Sequence, residues 1–421
     1  MTTSEIHKRA EEAIARCRRL ASFSEDHEST RRTFLSPPMR DCHNEIAGWL
    51  ETLGMPVHVD AAGNLRASYP AAESGVPRLL VGSHLDTVPN AGAYDGVLGV
   101  MLAVSLLEAL HPRRLPFGID VVGFSEEEGV RFGVPFIGSR AMVGRLDEEL
   151  LKIQDGEGVS VRKAIEQFGL NPAEIPLARV RDEYFGYIEF HIEQGPVLEE
   201  LGKPLAVVES IAGQSRLGFT FLGRSNHAGT TPMHLRCDAL AGVAEWISAV
   251  ESLARNTAGL VATVGRIEAK PGATNVIAGE AQVTLDVRHG SNEIRIQAVK
   301  DLVERAQEIA TRRGLTLRWK TLLEQSAVAM DPFLIAEIER AIRKTGDEPH
   351  RMVSGGGHDA MILAEKVPAS MIFLRTPGGI SHDPSESVAV EDVEKAIECG
   401  LHLLDQLAAA PAATWSEVRV P

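Results

Sequence analysis

The chain has 421 residues, 44% of them hydrophobic and 24% charged, which is ordinary globular usage and enough apolar material for two or three domains. Its 43 basic residues against 58 acidic ones leave a net charge of −15, a field that disfavours nucleic acid and anionic membrane as partners. Aromatic residues make up only 5%, no uncharged apolar run approaches the ~20 residues of a membrane span, and the four cysteines form no Cys-x-x-Cys pair, so neither a thiolate zinc site nor a disulfide framework is advertised.

The opening MTTSEIHKRAEEAIARCRRL reads as a charged amphipathic helix without the apolar stretch of a signal peptide, so a cytoplasmic protein is expected. Residues 79–86, LLVGSHLD, form an apolar run with a polar end, predicting a buried strand that delivers side chains at its terminus. An almost wholly apolar helix is expected over 96–110, then a second buried strand over 117–125 that ends in Glu126, Glu127 and Glu128. This β-α-β order predicts an α/β sheet with helices on its faces, and ligands in such sheets collect beyond the carboxyl ends of the strands.

A second pattern starts near residue 214. Strand 216–224, helix 237–255, strands 260–269 and 281–289, helix 292–313 and strand 315–322 give the order β-α-β-β-α-β of a ferredoxin-like unit. Beyond Asp331 the chain returns to helices and short apolar strands, with a closing helix near 391–409 and a loosely held tail, PAATWSEVRVP. The economical reading is one α/β domain built from residues 1–213 and 330–421, with a smaller α+β domain, 214–329, inserted between its halves.

Chemistry concentrates at the strand ends. His84 and Asp86 stand two apart on an extended segment and so project to one side. A carboxylate there can accept the imidazole's second N–H and fix its direction toward a metal. Asp95 follows in a turn rich in Gly and Ala. The acidic triplet could divide its labour, one carboxylate binding a cation while its neighbour moves protons, and the residue types alone leave open which does which. His191 lies in YIEFHIEQGPVLE, where alternation puts Glu189, His191 and Glu193 on one face, and His382 lies in the glycine-bracketed loop TPGGISHDPSES. A lone His-x-Asp would be only a polar loop, and an acidic triplet is commonly solvated surface. Their shared position at the ends of buried strands favours a site. His84, Asp95, one triplet member, His191 and His382 form a nitrogen–oxygen set suited to zinc, manganese, cobalt or nickel. Five ligands exceed the three protein ligands usual for one catalytic zinc, so two divalent metal ions sharing a carboxylate fit the count better. No phosphate-cradling P-loop, His-Glu-x-x-His helix or Gly-x-Ser-x-Gly elbow is present.

In GSHLDTVPNAGAYDG, FSEEEGVRF, FIGSR, EFHIEQGPVLE, SNHAGTTPM and GISHDPSES the sequence resembles the M20 metallopeptidase superfamily, and within it the hydantoinase/carbamoylase branch of N-carbamoyl-L-amino acid hydrolases, allantoate amidohydrolases and β-ureidopropionases. The motifs run in family order from about residue 80 to 390. HIEQGPVLE is similar to the carbamoylase form, in which histidine fills a metal position that the peptidases and deacylases of the superfamily generally fill with an acidic residue.

The resemblance implies a metallopeptidase-like catalytic domain with a mixed sheet flanked by helices, and an inserted ferredoxin-like lid that also makes a homodimer. It implies that His84 and His191 hold one metal, Glu128 and His382 the other, and Asp95 bridges them. Asp86 would orient His84, and Glu127 would be the general base. His227, in SNHAG, would cross into the partner's active site and bind the developing oxyanion, a role that its own surroundings in the sequence do not suggest. Asn275 and Arg288 would grip the substrate carboxylate, with Gln194, Gly357 and His358 at further substrate-side positions. The implied reaction is hydrolysis of the terminal ureido group of an N-carbamoyl-L-amino acid to ammonia, carbon dioxide and the free amino acid. Allantoate is the near alternative, a deacylase or dipeptidase activity a more distant one, and a metal-free binding module the alternative from another class.

Overall fold

The computed structural model describes residues 2–181 and 183–410, so the expected tail PAATWSEVRVP lies outside the described residues. The described residues divide into two compact units, the first made of residues 2–181, 183–209, 330–352 and 358–410 and the second of 210–329 and 353–357. No helix among the described residues is long and apolar enough to cross a membrane.

In the first unit, strands β1 (Val57–Val59), β2 (Leu65–Tyr69), β3 (Arg78–His84), β4 (Gly118–Phe124), β5 (Tyr184–Ile192) and β6 (Leu205–Ile211) precede the second unit. The second unit contributes β7 (Gly213–Leu222), β8 (Val261–Lys270), β9 (Glu280–His289), β10 (Thr316–Gln325) and β11 (Val328–Ala329), after which come β12 (Arg351–Ser354) and β13 (Ala369–Leu374). The main sheet runs β1-β2-β4-β3-β5-β13-β6. Its middle four strands are mutually parallel, while β2 and β6 join them antiparallel, giving the expected mixed sheet.

The middle strands carry almost unbroken apolar runs because both of their faces are covered. Helix Val97–Leu110 is the main cover. Twelve of its residues are buried, since it lies between β3 and β5 on one side and helices Thr3–Ala21 and Val390–Ala409 on the other. Gly99 permits the close approach, because a Cβ there would fall 2.1 Å from the Phe190 carbonyl oxygen. Parallel strands end on one side of a sheet. The ends of β3, β4, β5 and β13 therefore bring together loops that are far apart in sequence.

The second unit is an antiparallel sheet in the order β10-β7-β9-β8, with helices Ala239–Asn256 and Asn292–Arg312 packed against it. Alternation is clean along β9: Ala281, Val283, Leu285 and Val287 are buried, while Gln282, Thr284, Asp286 and Arg288 lie on the opposite, more open face. Trp246, Phe219 and Phe221 centre the apolar core, and the Trp246 indole N–H donates to the Leu302 carbonyl at 2.9 Å.

Candidate metal centre

β3 delivers His84 as its last residue, directly opposite Phe124 at the end of β4, and β5 delivers His191 opposite Phe373 of β13. His84 and His191 are each about 1% exposed. The His84 Nδ1 lies 2.9 Å from the Asp86 carbonyl oxygen and the His191 Nδ1 lies 2.8 Å from that of Ile192. A carbonyl only accepts, so the hydrogen-bond network assigns the proton to Nδ1 in both rings and leaves each Nε2 with a lone pair. Those two Nε2 atoms stand 3.4 Å apart. Asp95 Oδ1 is 3.1 Å from the His191 Nε2 and 3.7 Å from that of His84. It is buried and makes no well-formed hydrogen bond. Three lone-pair atoms thus face one point, an arrangement that a cation completes and that protons satisfy poorly.

The other oxygen of Asp95 faces a second group. His382 Nε2 lies 3.2 Å from Asp95 Oδ2 and 3.4 Å from Glu128 Oε1. The donor atoms of His84, Asp95 and His191 lie within 4.8 Å of one another, and so do those of Asp95, Glu128 and His382. Asp95 belongs to both triads, and His84 with Glu127 and Glu128 forms a further such group. All five residues of the sequence-derived ligand set are therefore gathered in one place, and Glu127 adjoins them. The donor set fits divalent cations on its chemistry alone: neutral imidazoles with their second N–H tied to carbonyls, and carboxylates crowded together.

The charges agree with that fit. Burial pushes the Glu127 carboxyl well above the usual range, with Glu128, Asp359 and Asp86 adding to it against the pull of His84. Glu128 is raised to about 7, by burial first and then by the charge of Asp95. At Asp95 burial acts in the same upward sense, but the histidines around it outweigh burial and hold the carboxyl well below the ordinary carboxylate range. Burial lowers His84 too, yet the surrounding carboxylates overcome it and raise its proton affinity. The site calls for positive charge at its centre.

Asp86 differs from the simple expectation. Its carboxylate is 3.7 Å from the His84 ring, because both its oxygens accept backbone amides, Glu127 N–H at 2.9 Å and Glu128 N–H at 3.0 Å. β3 ends at His84, so strand alternation no longer governs position 86, and it is the Asp86 main-chain carbonyl that aligns the ring. Asp86 instead shapes the loop that presents Glu127 and Glu128. The first member of the triplet, Glu126, turns away from the centre. Its backbone adopts φ +51°, and its carboxylate accepts N–H groups from Phe34, Arg131 and Phe132 at 3.1, 2.7 and 3.3 Å.

Gln194 donates from Nε2 to Asp95 Oδ2 at 3.0 Å, beside the second triad. His358 is buried, with its ring centroid 4.4 Å from that of His191, and burial holds its pKa well below the usual histidine value. Two residues to which the sequence assigns no role support the first triad. Glu189 accepts Ser83 O–H at 2.9 Å and Ala360 N–H at 3.0 Å. Gly96 faces the His84 ring so closely that no side chain fits there. Strand alternation already puts Glu189 on the face of His191 without giving it a role, and nothing in the pattern marks a role for Gly96.

The second unit carries His227, Asn275, Arg288 and Gly357. His227 and Asn275 are neighbours, since the 226–228 segment pairs with 275–277 through Ala228 N–H to the Asn275 carbonyl and Ile277 N–H to the Asn226 carbonyl, both at 2.9 Å. The exposed His227 ring accepts Gly229 and Thr230 amides at Nδ1, at 3.1 and 3.2 Å, so in its neutral form Nε2 carries the proton and points a donor outward. Arg288 is held by Asp286 through Nε at 2.9 Å and by the Gly355 carbonyl through Nη1 at 2.8 Å. It lines a cavity of about 770 Å³ within this unit together with Arg216 and Asp286.

The peptidase family M20/M25/M40 matches residues 80–406, a span that covers both triads. An N-carbamoyl-L-amino acid amidohydrolase of Geobacillus stearothermophilus is 39% identical over 90% of this chain and 93% of its own length. Allantoate deiminase 2 of Glycine max is 36% identical over 94% of this chain and 89% of its own. Among solved structures, an amidase of the hydantoinase/carbamoylase family from Burkholderia multivorans superposes with a TM-score of 0.90 at 29% identity, covering 96% of this chain and 98% of that one. Fold and relatives together define a hydrolase of C–N amide bonds. The chain belongs to the metal-dependent M20/M25/M40 peptidase family.

Proposed function

We propose that the protein hydrolyses the terminal ureido group of N-carbamoyl-L-amino acids at a centre of two divalent cations. The observation that carries the reading is the pair of donor triads sharing Asp95. His84 and His191 would hold one cation, Glu128 and His382 the other, with Asp95 serving both. Manganese, zinc, cobalt and nickel all suit these donors. When bound, the cations supply an acidified water and a Lewis acid for the carbonyl oxygen.

The remaining work falls to the chain's own residues. Glu127, whose burial gives it a raised proton affinity, takes a proton from the attacking water as its oxygen bonds to the carbamoyl carbon. The carbonyl electrons move onto oxygen, where the outward Nε2–H of His227 donates a hydrogen bond. The C–N bond then breaks and Glu127 returns the proton to the departing nitrogen. The carbamate left on the amino acid loses carbon dioxide, so ureido group and water become ammonia, carbon dioxide and a free amine. Arg288 would pair with the substrate carboxylate, aided by Asn275, a role for which its planar fork and its place in a cavity are suited. Gln194, Gly357 and His358 are proposed to contact the substrate, and Asp86 to set the loop of Glu127 and Glu128. A homodimer through the second unit, with His227 serving its partner's centre, completes the proposal.

Support for the substrate comes from relatives named as N-carbamoyl-L-amino acid amidohydrolases, at 34–39% identity. Allantoate is the second reading, favoured by allantoate deiminases at 35–37%. Its molecule also presents a ureido group near a carboxylate. The test is ammonia release from N-carbamoyl-L-amino acids, N-carbamoyl-β-alanine and allantoate by protein stripped and reloaded with each metal. Metal-dependent release from the first substrate class is expected. Preference for allantoate would move the assignment to the second reading, and silence across the panel from metal-loaded protein would overturn both.

A further inference from the structure

Of the five ligands, His382 is the one that burial does not fix. Its side chain is 48% exposed, and its backbone sits at φ +58°, an uncommon conformation for a residue with a Cβ. Asp95 likewise rides on a turn rather than a strand. The two come from opposite ends of the chain and yet meet at 3.2 Å. A buried carboxylate that the mechanism does not use lies behind both of them.

Glu386 is 5% exposed. One of its oxygens accepts two consecutive amides of the Asp95 turn, Tyr94 N–H at 2.8 Å and Asp95 N–H at 3.0 Å. The other accepts Ser381 O–H at 3.1 Å, from the residue preceding His382. Ser381 Oγ is also 3.3 Å from Asp95 Oδ2 and 3.4 Å from Gln194 Nε2. A hydroxyl has one proton to give. When Asp95 turns its oxygens to a cation, that proton goes to Glu386 and the contact is kept. The turn also wraps the carboxylate tightly, because a Cβ on Gly92 would fall 2.5 Å from the Glu386 Cβ and 2.7 Å from Oε1.

We propose that Glu386, acting with Ser381, is a positioning residue of the metal centre, a clip that fixes the Asp95 turn and the His382 loop at the separation a shared cation requires. The proposal rests on the reading that Asp95 and His382 are metal ligands. It makes Glu386 neither a ligand nor a base. Its function is to spend a buried negative charge on backbone and hydroxyl donors, so that two ligands on irregular backbone are already in place before the cation arrives. Groups of this kind behind metal ligands commonly alter metal affinity 10- to 100-fold.

The test uses the full chain, stripped with chelator and titrated calorimetrically with manganese or zinc, beside its thermal unfolding in the metal-free form. Glu386→Ala should bind metal about 10- to 100-fold more weakly or lose one equivalent. Glu386→Gln should recover most of that loss, because its amide oxygen still accepts the two N–H groups and Ser381 can accept from its NH2. Ser381→Ala, which leaves the fold's backbone bonds intact, should show a smaller loss of the same kind. Wild-type affinity and stoichiometry in Glu386→Ala would overturn the proposal. Should that variant fail to fold, unchanged metal binding in Ser381→Ala would overturn it instead. A wild-type protein that takes up no metal at all would refute the metal reading itself, which separates the two failures.

Discussion

Gly96 offers a sharp test of the link between backbone and site. It sits at φ +67°, ψ −53°, immediately before helix Val97–Leu110, in a region that residues with a Cβ rarely adopt. A Cβ built there falls 2.4 Å from the Cδ2, Cε1 and Nε2 atoms of His84. Ordinary carbon contacts lie near 3.5–4.0 Å, so Gly96→Ala must displace the imidazole by about 1 Å or distort the turn. Metal–ligand distances tolerate about 0.2 Å, so a shift of that size would remove His84 from its proposed place as a ligand. Positive φ adds roughly 1–2 kcal/mol and forced overpacking another 1–3 kcal/mol of lost stability. The variant should therefore lose about 2–5 kcal/mol of folding stability and at least 100-fold in turnover, a size seen for misplacements of about 1 Å. Gly48 provides the control: it is exposed, within helix Pro37–Glu51, and a Cβ there meets nothing within 4 Å. Gly48→Ala should gain roughly 0.5–1 kcal/mol and keep its metal. Elemental analysis of the dialysed proteins and urea unfolding read both effects. Wild-type metal content and stability in Gly96→Ala would refute the reasoning.

Two further outcomes can be checked on the same material. Glu127→Gln keeps the size of the side chain but cannot take a proton, so ammonia release should fall at least 100-fold while metal stoichiometry stays at the wild-type value; a turnover within tenfold of wild type would remove Glu127 as the base. His43 is 3% exposed with neither ring nitrogen hydrogen-bonded, and burial, then the charges of Arg32 and Arg40, lower its pKa from the ordinary histidine value of 6.5 to about 3. A lowered folded-state pKa means that the unfolded chain binds the extra proton between about pH 6.5 and 3, so stability is lost as pH falls through that window. From pH 7 to 5 the loss from this one group is roughly 2 kcal/mol, and His43→Leu should lack it. Urea midpoints of both proteins at the two pH values decide the matter, and equal pH slopes would exclude His43 as the source.

Much of the architecture was legible because the middle strands are so apolar. LLVGSHLD and FGIDVVGFS announce buried strands whose polar ends share a side of the sheet and carry His84 and the Glu triplet, while Asp95, His191 and His382 are flagged by motifs of their own. The division of labour within Glu126–Glu127–Glu128 was legible only through the family resemblance and not from the residues themselves. It depends on a positive φ at Glu126 that sends that carboxylate back to the amide of Phe34, 92 positions away. Asp86 misleads for a related reason, since period-two reasoning was extended two residues past the end of β3. Glu386 and Gly96 lie within the motifs GISHDPSES and GSHLDTVPNAGAYDG, but nothing there reveals their roles, because one acts through amides of a distant turn and the other through the space that it leaves empty.

The buried carboxylates at these strand ends sort into two classes by what their oxygens face. Asp86, Glu126, Glu189 and Glu386 each accept backbone N–H groups, and that dipolar neutralisation makes them fasteners of loops. Asp95 Oδ1 accepts no well-formed hydrogen bond, and the Glu127 and Glu128 oxygens gather around His84. Only the second class has negative charge left for a cation or a transferred proton. The distinction predicts different failures from the same chemical change. Neutralising a fastener frees a loop and weakens metal binding indirectly, with recovery by an amide that can still accept. On the proposed ligand set, neutralising Asp95 or Glu128 takes away a ligand that no neighbouring hydrogen bond replaces, so an amide at those positions should rescue nothing. A buried charge in this protein is therefore best read by its hydrogen-bond partners rather than by its distance from the centre.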